Sequence, residues 1–570
     1  MMLYKLLKYG ITGQVYRMIK SIYNRTEYSV QINDECSPLF QGDNGLKQGC
    51  CLSPTLSNIF QNDLHEIFDE SCDPLQVGNI KLNSMSWADD LMIASLSSEG
   101  LQLCLNKLSR YCKKWGLEVN VEKTKTMTFS KRFTQTEPVY LNGTEIESVK
   151  TMNYLGFEIS FNGSIKIMIT DRIKKATKVA HMVLQALRTN RNVSAALAIS
   201  IFDKQIAPIL LYGCAIWSMP KSQNLIYIED QPENITTRLL TNRIFYDMLG
   251  RNVRFDYARR VGKVDLNGKR KILVKLKYFT DKESLMCIQN STYRLSNFSD
   301  QNYSEITKMQ LDYCKKSLNL SKYSSNFAIQ GELGVLPIEH RAYCLTVKYW
   351  LRLYHKTKNV LLNEMFDEVK NDQYQWLQSI QASLCTNGFG DVWINPGSVN
   401  PENFHKVFRQ RLDDQYIQAW RNKIDNSTRF HVLSTLSSNE STYSRSKYID
   451  KIKNPSVREI FTRLRVDMSV LASSVANLND RNPEGICVHC TSNDVETPEH
   501  FLFHCTKYVN ERQSFYENIM VNDTDIKDIP IIQRIKYVLD LLCPSEQIGT
   551  VCNYVCRIYS LKEQIGASSS

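Results

Sequence analysis

No apolar run in this sequence approaches the ~20 residues needed to cross a bilayer, so a membrane span is not expected. Met1 is not followed by the apolar stretch of a secretory signal. Seventeen cysteines make an odd set; without an export signal they point to a reduced, intracellular chain, in nucleus or cytoplasm, rather than to a disulfide framework. Internal repeats and extended low-complexity tracts are missing too, and the final "GASSS" reads as a frayed end. What is present is a globular composition, 43% hydrophobic over 570 residues. That length exceeds one ordinary core, so two or more domains are expected. Lys plus Arg total 70 against 59 for Asp plus Glu, a net +11 that favours a polyanionic partner.

The first third mixes helix and strand patterns. "LYKLLKYGITGQVYRMIKSIY" suits two short helices broken near Gly10 and Gly13, and "YSVQIND" alternates like a strand. In "EGLQLCLNKLSRYCKKWG", Leu101, Leu105, Leu108, Cys112 and Trp115 recur at helical spacing, with Gly116 placed for a C-terminal cap. "TMTFS" and "NYLGFEIS" read as strands, and Asn142-Gly143 between alternating runs is a strong hairpin signal. From Ile165 the pattern is mainly helical, with Arg172, Lys174, Lys175 and Lys178 either tracking a phosphate backbone or forming a solvated face.

In "SWADDLMIAS" two adjacent carboxylates, Asp89 and Asp90, interrupt what reads as a buried strand. Like charges in a low-dielectric setting need a compensating cation, and a metal is one such cation. Upstream, "GLKQGCCLSPTLSNIFQNDL" places a loop over residues 45–54 before a helix starting near Ser53 or Pro54, with small residues that let a ligand approach the backbone. Downstream, "LEVNVEKTKTMTFS" brings Lys123 and Lys125 near a strand. Such an array can hold Mg²⁺ and place a nucleoside triphosphate beside it.

Together these segments resemble the palm of a reverse transcriptase of the non-LTR, long interspersed element type. "LKQGCCLSPTLSNIF" is similar to the template and nucleotide-positioning motif, "WADD" to the catalytic aspartate motif, "GLEVNVEKTKTM" to the Asn-x-x-Lys-Thr motif, "YLGFEI" to the primer-grip strand and "LLYGCAIW" to the thumb. The resemblance covers residues 1–217 and resumes at "NLSKYSSNFAIQGELGVLPI". It implies RNA-templated DNA synthesis with Mg²⁺ on an RNA template, a DNA primer and deoxynucleoside triphosphates. Asp89 would be the metal-binding aspartate with Asp90 its neighbour, Gln48 and Gly49 would lie under the incoming nucleotide, and Lys123 near its phosphates. The family's first aspartate motif, in a Phe-x-x-Ala-Phe-Asp context, has no counterpart here. Met1 falls where the following helix would be, and Asp34, Asp43 and Asp63 lack the expected strand context. An incomplete metal site, and a chain inactive alone, are the expectation. The alternative is a catalytically dead nucleic-acid-binding relic.

Residues 251–277 hold ten Lys or Arg against two Asp, a net +8. The end of this block alternates Ile272, Val274 and Leu276 with Lys271, Lys275 and Lys277, as in a strand with one apolar and one basic face. Lysines on a solvated edge strand are the plainer alternative. The stretch "FDYARRVGKVDLNGKRKILVKLKYFTDKESLM" resembles the RNA-binding region of the companion first-frame protein of such elements. The resemblance makes Arg259, Arg260, Lys269, Arg270 and Lys271 the nucleic-acid-binding candidates and suggests a composite chain.

"CVHCTSNDVETPEHFLFHC" spaces Cys487 and Cys490 by two residues, then His500 by nine and Cys505 by four. Three thiols and an imidazole at this spacing suit a closed structural Zn²⁺ site, with His489 and His504 as spare candidates. The spacing also matches the Cys-Cys-His-Cys knuckle that such retrotransposon proteins carry. The expected fold is therefore α+β. A partial right-hand palm with fingers occupies 1–160, thumb-like helices 161–220 and an inserted basic segment 234–294. A helical region follows at 300–480, a zinc knuckle at 482–509 and a helical tail at 510–570.

Overall fold

The computed structural model describes residues 1–24, 26–42, 45–133, 137–189, 194–217, 225–232, 255–261, 269–276, 295–297, 305–371, 375–427, 430–437, 443–466, 471–475, 482, 484–490, 492–521 and 524–568. The chain forms two compact units, residues 1–168 with 357–372, and residues 169–356 with 373–570.

In the first unit the helices Met2–Lys8 and Gly13–Tyr23 are separated where Gly10 and Gly13 take positive φ. Leu6 and Ile19 pack on Leu56 of the helix Ser53–Gln61. The helix Ser98–Trp115 starts with the Ser97 hydroxyl accepting from the Gly100 N–H and stops at Gly116, whose φ of 64° few other residues adopt. Its inward face buries Leu105, Leu108 and Cys112, and Leu105 meets Val139, Leu141 and Ile146 around the Tyr140–Leu141 and Thr144–Glu145 hairpin. Asn142 and Gly143 both take positive φ in its turn, which is why that dipeptide signals a hairpin.

Two strand expectations change. "NYLGFEIS" is two strands, Thr151–Tyr154 and Phe157–Ser160, folded about Leu155 and Gly156. Both turn residues have positive φ, a conformation cheap for glycine and costly for leucine. "TMTFS" contributes only Lys125–Thr126, paired in parallel with Glu147–Ser148. Among the described residues of this unit every strand pairs with one other.

Lys5 is fully buried in this unit. Its ammonium donates to Asp63 Oδ1 at 2.7 Å, to Tyr111 Oη at 2.7 Å and to the Phe60 carbonyl. It also sits 4.0 Å from the Trp115 ring centroid. A late helix, Val360–Asn371, returns to this unit, where Glu364 accepts the Asn79 backbone N–H at 3.3 Å. A Cβ on Gly78 would collide with the same carboxylate.

The helix Ile165–Thr189 leads into the second unit, burying Ala176, Ala180 and Leu184 against Phe202, Leu210 and Trp217. Of its basic residues, Lys174, Lys175 and Lys178 are exposed, whereas Arg172 is buried and bonded to Asp171 at 2.7 Å. Exposure leaves the three lysines open to solvent or to a phosphate backbone alike, whereas buried Arg172 serves neither reading. "GELG" acquires a physical reason: a Cβ on Gly331 would collide with the Trp420 ring, and Gly334 at φ 60° caps the helix Asn326–Leu333. Glu332 between them is buried and accepts from Arg465 Nε at 2.9 and 3.0 Å.

Four strands, Leu225–Pro232, Phe255–Val261, Lys269–Leu276 and Leu295–Asn297, make an antiparallel sheet with Lys269–Leu276 and Leu225–Pro232 in its middle. The rest of the 234–294 segment, Lys277 included, lies outside the described residues. No helix among the described residues is long and apolar enough to cross a membrane.

Candidate active site and metal centre

Asp89 and Asp90 head the hairpin formed by Ser84–Trp87 and Asp90–Ile93, in which Trp87 faces Asp90. Contrary to the buried strand expected, residues 86–90 are exposed, Trp87 by 69%. Partial burial stops at Met85 and resumes at Leu91, and the pair sits on the tight turn between them. Ala88 there takes φ 54°, a glycine-like conformation of the kind that collects at functional turns. Among the described residues neither carboxylate has a hydrogen bond or ion pair with another side chain, so both face solvent free to meet a cation. Tyr154 feels the charge on this turn: its hydroxyl is raised above its usual pKa by burial and further by Asp90. That links the aspartate turn to the "YLGFEI" hairpin.

His65 holds this hairpin in a way its sequence does not announce. Its Nδ1 lies 2.8 Å from Ser84 Oγ and its Nε2 3.0 Å from Ser86 Oγ, so one ring spans two hydroxyls on the same face of the strand that ends at the aspartates. The i, i+2 spacing of two serines is the only local signal.

Gln48 and Gly49 occupy an exposed turn, with Gly49 at φ 78° and nothing within 4 Å of a Cβ there. The loop is tied down behind them, Ser53 Oγ donating to the Lys47 carbonyl at 2.6 Å. Hydrogen bonds led by the Leu52 backbone hold the Cys50 thiol below its usual pKa. "NVEKT" forms a second tight turn. Asn120 Oδ1 accepts the Lys123 N–H at 3.0 Å and the Asn120 carbonyl accepts the Thr124 hydroxyl at 2.8 Å, leaving Lys123 exposed. The two loops and the aspartate turn belong to one unit, and no hydrogen bond or ion pair among the described residues joins them.

A two-metal site uses more carboxylates than these two. The only cluster of three or more acidic, His or Cys ligands among the described residues lies elsewhere. Asp63 is held by Lys5 and Tyr111, Asp34 lies in the turn between Gln31–Ile32 and Glu35–Cys36, and Asp43 is outside the described residues. The described residues therefore do not by themselves fit a pair of Mg²⁺ ions.

The second site is better assembled. Ligand atoms of Cys487, Cys490, His500 and Cys505 all lie within 4.8 Å of one another. A tetrahedron with metal–sulfur bonds of about 2.3 Å and metal–nitrogen bonds of about 2.0 Å has sulfur–sulfur edges of about 3.8 Å and sulfur–nitrogen edges of about 3.5 Å. Cys487 Sγ to Cys505 Sγ is 3.9 Å and Cys490 Sγ to His500 Nε2 is 3.4 Å, so donor set and spacing fit a zinc ion. The Ile486 and Val495 bridge closes the turn carrying the first two cysteines. A π turn over His500–His504, with Cys505 N donating to the His500 carbonyl at 2.7 Å, presents the other two. The Asp494 carboxylate stands 3.7 Å from His500 Nδ1, while Nε2 faces Cys490 Sγ.

Burial raises the Cys505 thiol and pushes Cys487 up to about 12, and it lowers His500. Burial acts on Cys490 too, but hydrogen bonds from Ser492 outweigh it and hold that thiol below its usual range. His489 and His504 lie outside the cluster.

The register sorts the five basic candidates. Lys269 and Lys271 share one face of their strand with Leu273, opposite which Arg259 pairs, while Arg270 alternates to the other face with Ile272, the partner of Arg260.

Residues 3–159 match the family described as reverse transcriptase (RNA-dependent DNA polymerase). The RNA-directed DNA polymerase from mobile element jockey of Drosophila melanogaster is 26% identical over 220 residues, 37% of this chain and 23% of that protein. The probable RNA-directed DNA polymerases from transposon BS and transposon X-element of the same organism are 25% and 23% identical over 244 and 243 residues, 40% and 41% of this chain and 26% of each relative. The chain thus spans about a quarter of the length of each of these three relatives. Its N-terminal part, with the paired aspartates on their exposed turn, is similar to the reverse transcriptases of mobile elements.

Proposed function

We propose that this chain carries part of an RNA-directed DNA polymerase of a non-LTR retrotransposon, acting on an RNA template, a DNA primer and deoxynucleoside triphosphates with Mg²⁺. The observation that carries this reading is the Asp89–Asp90 turn, two carboxylates without protein partners inside the segment similar to reverse transcriptases. In this reading Asp89 binds metal beside Asp90, Gln48 and Gly49 bed the incoming nucleotide, and Lys123 meets its phosphates. The remaining carboxylate comes from another segment. Cys487, Cys490, His500 and Cys505 hold a structural Zn²⁺, and the basic sheet meets nucleic acid. A second reading, a catalytically dead nucleic-acid-binding protein, is favoured by the lack of a third carboxylate among the described residues.

Primer extension on an RNA template separates the two. The chain alone is expected to extend at background level with Mg²⁺. Supplementing it with a reverse-transcriptase fragment that carries a metal-binding aspartate is expected to restore extension, which Asp89→Asn lowers by roughly two to three orders of magnitude. Extension that survives Asp89→Asn removes Asp89 from the site, and no extension in any supplemented reaction supports the second reading.

A further inference from the structure

Glu496 is 0% exposed, yet its carboxylate joins three separate elements. Lys562 Nζ, on the C-terminal helix Ile548–Ser568, donates to its two oxygens at 2.6 and 2.8 Å. The backbone N–H of Ala472 donates to Oε2 at 2.8 Å. On the third side Cys487 Sγ lies 3.8 Å from Oε1. A buried ion pair is seldom worth more to stability than apolar residues of the same size, so its position directly behind a metal-ligand sulfur asks for another account.

We propose that Glu496 and Lys562 are positioning residues behind the Cys/His metal site, so that metal uptake and docking of the C-terminal helix are one coupled event; this rests on the zinc reading above. Before ligation the Cys487 thiol can donate to Glu496. On ligation the three thiol protons pass to solvent and three sulfur–metal bonds and one nitrogen–metal bond form. Three thiolates, a neutral imidazole and a divalent cation then carry one net negative charge. The Cys487 thiolate would face the Glu496 carboxylate with no proton between them. The Lys562 ammonium offsets that repulsion, and it can do so only while the helix Ile548–Ser568 is docked. Tyr554 and Val555 of that helix enter the same apolar core as Cys487 and Cys505, so docking and ligation share their surroundings.

The test uses the full chain with its thiols reduced. Co²⁺ is titrated by its thiolate absorption into wild type, Lys562→Met and the double variant Glu496→Gln/Lys562→Met, and hydrogen exchange of the C-terminal helix is followed with and without a chelator. Lys562→Met is expected to weaken Co²⁺ binding roughly 10- to 100-fold, the range for an outer partner of a metal ligand. The double variant is expected to recover most of that loss because neither charge remains, a rescue that lost packing alone would not give. Chelation is expected to raise exchange in the helix of the wild type. Should Lys562→Met fail to fold, this exchange measurement on the wild type decides. Wild-type affinity in Lys562→Met, or helix exchange indifferent to chelation, overturns the coupling. No Co²⁺ uptake by the wild type overturns the zinc reading itself, and the coupling with it.

Discussion

A fully buried lysine must have every ammonium proton placed, and Lys5 places three on Phe60, Asp63 and Tyr111. Burial lowers the Lys5 pKa despite Asp63. Burial also acts on Asp63, but hydrogen bonds from Lys5 and Tyr111 overcome it and hold that carboxyl below its usual range. Three donors on three acceptors beneath an aromatic ring argue for the ionised pair. Asp63→Asn leaves a buried ammonium without its anion and is expected to destabilise the first unit by about 3–5 kcal/mol in urea unfolding. A depressed carboxyl adds stability above its unfolded value, about pH 3.9, and loses it as pH falls through the lower folded value. Wild type should therefore lose stability on acidification below about pH 4 more steeply than Asp63→Asn. None of this was legible in the sequence. Lys5 reads as an ordinary helix lysine, and its partners Asp63 and Tyr111 lie 58 and 106 residues away.

Elements whose cause is local could be read in advance. Asn142-Gly143, the cap at Gly116 and the helix start at Ser53 depend on a few neighbouring residues, and so does the spacing that gathers Cys487, Cys490, His500 and Cys505. The aspartate segment was legible as strand but not as exposed, because a strand's apolar pattern does not tell where its turn meets solvent. The basic sheet lies between these cases. Alternation separates Lys271 from Ile272, but only strand pairing shows that Arg259 shares a face with Lys269 and Lys271 while Arg260 and Arg270 do not. The proposed nucleic-acid contact then makes a specific prediction for single-stranded RNA binding followed by fluorescence anisotropy. Neutralising Arg259, Lys269 and Lys271 should reduce the slope of log affinity against log salt by about 0.7 for each phosphate that is no longer neutralised. Neutralising Arg260 and Arg270 should change it less. Equal effects from both sets would mean that the face is not the surface that meets RNA.

At the scale of the whole molecule the chain holds two units, the first with apolar clusters around Leu6, Leu105 and Leu108, the second with its largest cluster around the C-terminal helices and the Cys/His site. Chain length foretold more than one unit. It could not foretell that the Cys/His segment shares a core with residues as distant as Ala195 and Ile558, since a knuckle's spacing says nothing of what packs around it. Calorimetry is expected to resolve two transitions, of which chelation lowers one and Asp63→Asn the other. A single transition moved by both would show the two units to be energetically one. The helix Val360–Asn371 completes the first unit from a distance, covering the Gly78 turn only after residues 169–356 have been made. At ribosomal speeds of about 5–20 residues per second that interval is roughly 10–40 s. During it the nascent chain displays an uncovered Gly78 turn to chaperones and proteases, and a translation product ending near residue 168 would display it for as long as it lasted.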